Sequence, residues 1–316
     1  MKKSMINTTH IEGLVYESNL EFRVSGENSK NPGTEFIMGT LSIATDDACT
    51  NIIPVHFTYV TAVTSKGKAN ATYDVLKDII DGKAGSVMKV GADKAQKVRI
   101  DSAIGLNEFY SDRNGKEELV SVKRNEGGFV HFANTLAPDE NTRNTFQADM
   151  IITQVNRIEG DEEKGTKDKV VLRGAIFDFR KAILPTEFSV TNEKGMEHFE
   201  GLEASAKEPV FLKVWGRQIS QTTINKTVEE SAWGEALVRE TPSTRRDWVV
   251  TGCNPEPYEW DDESTITAQE LTEAMATRET YLATIKKRQD EYKAQKAANA
   301  AAAPIATAAN GTSFKF

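Results

Sequence analysis

The chain has 316 residues, 39% hydrophobic and 8% aromatic, which is enough for the cores of two ordinary domains or one large one. Its net charge of -8 excludes the uniformly basic surface of a histone-like binder, while a local basic groove can still sit on an acidic protein. "MKKSMINTTH" has no apolar run behind its lysines, and no stretch reaches the roughly 20 apolar residues of a membrane span, so a cytoplasmic protein without membrane contact is expected, with Cys49 and Cys253 as reduced thiols.

Residues 1–262 are dominated by strand signals. "GLVYESNLEFRV" (13–24) alternates Leu20, Phe22 and Val24 on one face, and the loop "SGENSKNPGT" ends it. "EFIMGTLSIAT" (35–45) sets Phe36, Met38 and Ser42 against Ile37, Leu41 and Ile43, with a bend at Gly39. "NIIPVHFTYVTAV" (51–63) places Val55, Phe57 and Tyr59 together, and Pro54 puts its start at an edge or bulge. A helix follows in "ATYDVLKDIIDG", with Tyr73, Leu76, Ile79 and Ile80 on one face and Gly82 as its stop. Strands resume at 97–106, 118–124 and 128–133.

The second half repeats this order in different letters. Strands at 145–159, 169–179 and 186–190 precede a short helix at 193–202, and strands at 209–220 and 245–252 follow. Three strands, a helix and further strands is the layout of the OB-fold, a five-stranded Greek-key barrel. A mainly β protein is therefore expected, with OB-like domains at 1–135 and 136–262. The competing architecture is one β-sandwich with helical insertions.

Beyond the acidic run "PEPYEWDDES", residues 263–296 read as an amphipathic helix with a capping box at Thr267 and Glu270. Its narrow stripe of Leu271, Met275, Leu282, Ile285 and Tyr292 could dock on a domain or build a homo-oligomer. Residues 297–316 read as a flexible alanine-rich tail with an aromatic tip, Phe314, Lys315 and Phe316, suited to holding a protein partner.

Enzyme motifs are missing: "GADKAQK" lacks the second glycine and the Lys-Ser/Thr pair of a phosphate loop, no nucleophile elbow exists, and the four histidines share no ligand spacing. No catalytic residue, metal or cofactor is expected. Single-strand binding instead needs cations along phosphates and flat side chains under bases. "SVKRNEGGFVHF" supplies Lys123, Arg124 and Phe129 around a glycine pair that could bring backbone close to a ligand. Arg99 and Tyr110 add to it, as do Arg173, Phe177, Phe179, Arg180 and Lys181 of "RGAIFDFRK", in which the two phenylalanines share a strand face. "KVWGR" and "STRRDW" again join an aromatic to bases, with Trp215 and Arg217 in the first. Ordinary hairpins, with the rings in cores and the cations solvated, are the competing reading of each segment.

The blocks "GTLSIATDDACTNIIPVHFTYV", "AIGLNEFYSDRNGKEELVSVKRNEGGFVHF" and "VVLRGAIFDFRKAILPTEF" resemble single-stranded-DNA-binding proteins of OB type from the replication modules of bacteriophages of Gram-positive hosts. The resemblance covers most of 13–260 together with the helix and tail, and it rests on whole blocks. It implies a protein that coats single-stranded DNA in replication and recombination inside a bacterial cell and recruits replication or recombination enzymes through its tail. The tail departs from the usual acidic tip, since residues 297–316 contain no Asp or Glu. A capsid or tail assembly protein and a strand-annealing recombination protein are the alternative functions.

Overall fold

The computed structural model describes residues 5–113, 116–161, 167–229, 233–234, 237–260 and 266–302. In the first half, β1 (Asn7–Val24) pairs antiparallel with β2 (Glu35–Ala44), and β2 with β3 (Ile52–Val60). Helix α1 (Ala71–Ile80) and the single turn α2 (Val87–Val90) lead to the hairpin of β4 (Lys97–Arg113) and β5 (Lys116–Phe132). β5 then joins β3 in parallel, with Val55 opposite Asn125, and β4 returns to β1. The circuit closes as β1-β2-β3-β5-β4-β1, with a helix between the third and fourth strands. This is an OB-fold barrel.

The second half closes in the same way. β6 (Asn144–Ile158), β7 (Lys169–Phe177) and β8 (Ile183–Val190) form a meander, followed by α3 (Glu193–Glu200) and the long hairpin of β9 (Val210–Glu229) and β10 (Leu237–Cys253). β10 runs parallel to β8, and β9 returns to β6, giving β6-β7-β8-β10-β9-β6. A single β-sandwich does not contain two such circuits, so the protein is built from two OB-fold barrels.

Side-chain alternation fills each barrel. Ile11, Leu41, Val55, Phe57 and Ile100 make the first core, which α1 plugs with Tyr73, Leu76 and Ile79. The cap of α1 is Asn70, whose side chain accepts from the Thr72 N–H at 3.2 Å. Phe146 stacks on Phe188 in the second core at 4.8 Å, and α3 adds Met196 and Phe199. A third cluster lies outside the second barrel, where Phe177, Ile183 and Phe211 meet Ile266, Tyr258 and Trp260 of the following segment.

Two bulges redirect the strands. The register between β2 and β3 slips next to Gly39, whose φ of +128° and close approach to Asn19 O exclude a side chain. Phe57 thereby stays in the core while Tyr59 turns outward, which separates two residues expected on one face. Gly127 and Gly128, both at positive φ, form a bulge opposite Ser102 within a continuous β5. The glycine pair expected to approach a ligand bends this strand instead, with Gly128 against Asp101 O.

The barrels are joined through backbone and buried amides. β1 pairs with β6 from Asn7 opposite Ala148 to Ile11 opposite Asn144. Asn7 Nδ2 donates to Ile104 O (2.9 Å) and Phe177 O (3.0 Å), one carbonyl from each half. Gln218 and Asn125 exchange a reciprocal pair of amide hydrogen bonds at 2.8 and 2.9 Å. Finally α4 (Ala268–Ala302) straps the halves together. Thr267 and Glu270 form its capping box, with Glu270 Oε2 accepting from Thr267 N–H at 3.0 Å. Arg278 reaches back to Glu108 of β4 at 2.6 Å and to Ile183 O of β8 at 3.2 Å.

Candidate nucleic-acid interface

Between the barrels lies a cleft of about 590 Å³. Pro54 and His56 of β3 form one wall, together with Lys123 and Arg124 of β5. The opposite wall comes from the second barrel: Lys169 and Arg173 of β7, Glu187 of β8, and Arg246 to Trp248 of β10. In OB-folds the second and third strands carry the oligonucleotide face. Here the third strand of one barrel and the second and third strands of the other open onto the same space. The lining holds five Lys or Arg side chains against two carboxylates, Glu187 and Asp247, in a chain of net charge -8.

The electrostatics of the walls differ from residue to residue. Burial holds His56 below the ordinary imidazole value, and the neighbouring Arg124 adds to that, so the ring is neutral at pH 7; Thr40 Oγ1 meets its Nδ1 at 2.9 Å. Arg124 Nε donates to Glu126 at 2.7 Å, Arg173 Nε to Glu187 at 3.2 Å, and Lys169 Nζ lies 3.7 Å from Asp247. The Arg173 pair is exposed and of the kind worth little in water, so an arriving phosphate can replace the carboxylate. Lys123 differs. Its ammonium donates to Glu187 O and lies 4.9 Å from the Phe188 ring centroid and 5.9 Å from that of Trp248. Burial lowers its pKa to about 8, although Glu187 and Asp247 act in the opposite direction. Lys123 thus reaches from the first barrel into the aromatic end of the second.

A family model, YorF, matches residues 6–289. The chain belongs to the YorF family. Among solved structures, this YorF-family fold is similar to the crystal structure of the wild-type single-stranded DNA binding protein from Thermus aquaticus. That likeness has 11% identity and a TM-score of 0.45, over 81% of this chain and 94% of that one. A deletion variant of the same Thermus aquaticus protein gives 10% identity and a TM-score of 0.44, over 81% and 96%. No curated protein matches the sequence.

Of the binding candidates named individually from the sequence, Lys123, Arg124 and Arg173 meet in the cleft. The others do not. Phe177 is 0% exposed and sits in the cluster closed by Tyr258 and Ile266, so it has no free face for a base. The strand ends at Phe177, and Asp178 caps a turn by accepting from the N–H groups of Arg180 and Ala182 at 2.8 Å each. Phe179 is consequently 85% exposed, away from Phe177, with Arg180 folded over its ring at 4.9 Å. Lys181 pairs with Glu270 of α4 at 3.1 Å. Tyr110 is also taken by α4: its N–H donates to Gln289 at 2.9 Å, and Lys286 lies 5.3 Å from its ring centroid.

Phe129, Arg99, Trp215 and Arg217 lie outside the cleft lining. Arg99 pairs with Glu12 at 3.3 Å. Phe129, 70% exposed, opens onto a hollow with Thr145 and Gln147, and Trp215 and Arg217 onto an adjoining one. Arg217 donates there to Asn141. Phe314, Lys315 and Phe316 fall outside the described residues. Arg246 and Trp248 of "STRRDW" also line the cleft, whereas Lys169 and His56 lie outside the segments singled out from the sequence, as does the Phe36–Tyr59 ring pair, 4.6 Å apart, on β2 and β3.

Proposed function

We propose that this protein binds single-stranded DNA in the cleft between its barrels, without catalysis and with little sequence preference. The observation that carries the reading is the convergence of both barrels' ligand-type strands on one cleft where cations outnumber carboxylates five to two. Phosphates would run past Arg124, Lys169, Arg173 and Arg246, with the partly buried Trp248 at their side. The Phe36–Tyr59 pair offers a stacking surface further along β2 and β3. In this reading the protein coats single strands during bacteriophage replication or recombination in the bacterial cytoplasm. The tip Phe314-Lys315-Phe316 recruits a replication or recombination enzyme.

Titration of a labelled oligo-dT at several salt concentrations tests the reading. Four available cations predict a slope of log K against log salt of about -3, from a factor of about 0.7 per neutralised phosphate on single strands. Absence of binding at low salt, or equal affinity for a duplex of the same length, would refute it. Large DNA-free rings or tubes in size-exclusion chromatography would favour an assembly protein instead.

A further inference from the structure

Where α4 crosses the second barrel it roofs a cavity of about 880 Å³. Leu106, Ile151, Ala175, Ile183, Leu271 and Leu282 contribute apolar walls from the β4–β5 hairpin, the second barrel and the helix. The cavity adjoins the cleft, and Ser121, Lys123, Arg173 and Glu187 form the boundary that lines both. One polar atom there stands out. Thr186 Oγ1 is buried and has no hydrogen-bond partner among the described residues, which costs free energy unless a bound group satisfies it.

We propose that this chamber receives one nucleobase, turned out of the strand that lies in the cleft. Three features favour a base over other occupants. The boundary with the cleft is held by the exposed Arg173–Glu187 pair, and a phosphate that replaces Glu187 on Arg173 would open the way for the base next to it. The apolar walls suit the faces of a flat ring, and the Thr186 hydroxyl, once turned about χ1 from its buried position toward the cavity that the residue lines, can meet as donor or acceptor a polar edge that any of the four bases presents. A purine or a pyrimidine both fit in the volume, consistent with weak sequence preference. The inference rests on the cleft being the path of the DNA.

The test uses the full chain and an octamer of dT in which a single abasic site is moved through every position, read by fluorescence anisotropy. One position should lose about tenfold or more relative to its neighbours, the scale of one base's contacts. 2-Aminopurine at that position should brighten on binding, because the base leaves the stack. Met275→Trp narrows the chamber from a lip residue that is 56% exposed and should therefore fold normally. It should weaken the intact octamer about tenfold and flatten the scan, and Thr186→Val should shrink the dip at that position. Tight, salt-sensitive binding with a flat scan and no brightening would overturn the base pocket and leave the cleft reading intact. No salt-sensitive binding of the unmodified octamer would overturn both.

Discussion

The join between the barrels can be tested through Gln218→Ala. Gln218 and Asn125 are 5% and 2% exposed, and each donates to the other's carbonyl oxygen, at 2.9 and 2.8 Å. Alanine removes both hydrogen bonds, at about 1 kcal/mol each, and leaves Asn125 Oδ1 buried without its donor, at about 1–3 kcal/mol. Asn125 Nδ2 keeps its bond to Pro54 O at 3.1 Å, so the loss should total about 3–5 kcal/mol. Asn125→Ala should cost at least as much, because it strips that bond as well. The double variant should be more stable than the sum of the two losses by about 2 kcal/mol, since neither partner is then stranded. Urea unfolding of the four proteins, followed by tryptophan emission, measures the cycle. A Gln218→Ala loss below about 0.5 kcal/mol, or strictly additive variants, would refute the reasoning.

Other consequences attach to individual side chains. Arg246→Ala should weaken oligo-dT binding at low salt and reduce the magnitude of the salt slope by about 0.7, as one phosphate contact is lost; an unchanged slope would remove Arg246 from the path. The Lys123 pKa of about 8 lies below the ordinary 10.5, so the unfolded chain binds more protons between those values. Wild-type stability relative to Lys123→Met should therefore rise as pH increases from about 8 to 10.5 and be level below 8. The opposite slope would show that the ammonium is not desolvated. Lys286 and then Lys293 hold the Glu117 carboxyl down at about 2, so its support for α4 is complete above about pH 4.5 and lost as pH falls toward 2. Hydrogen exchange in 286–296 should be faster in Glu117→Gln than in wild type at pH 6, and the two should converge near pH 2.

The barrel order was legible because it depends on element sequence, and strand alternation survives translation into different residues. Three strands, a helix and further strands, read twice, lead to the two circuits, with the segments 118–124 and 128–133 merging into one strand of the first. What the sequence hid was the ownership of outer faces. A barrel strand presents alternate residues outward, and composition does not say whether solvent, DNA or another segment covers them. Phe177 looked available because the segment that buries it begins more than seventy residues later, at Tyr258. Tyr110 likewise faces a distant segment, with Gln289 of α4 on its backbone and Lys286 by its ring. Bulges were the second blind spot: one inserted residue rotates the rest of its strand, so Tyr59 left the face of Phe57, and Gly127-Gly128 became a bend within a strand. Lys169 was overlooked because it stands on a strand of one barrel, and its role depends on how the other barrel is placed against it.

That placement also bears on selectivity. The cleft lining carries five cations and two carboxylates, a net +3, so the remaining residues carry -8 minus 3, or -11. A flexible single strand can follow a positive seam in an acidic protein, since its phosphates need only pass one at a time. A stiff duplex of greater width would hold its second strand outside the cleft, near a chain whose remaining charge is negative and repels phosphate over a Debye length of about 8 Å at physiological salt. On the proposed function, preference for single strands would arise jointly, from attraction inside the cleft and from repulsion outside it. The acidic composition would then confine binding to the cleft instead of arguing against nucleic acid.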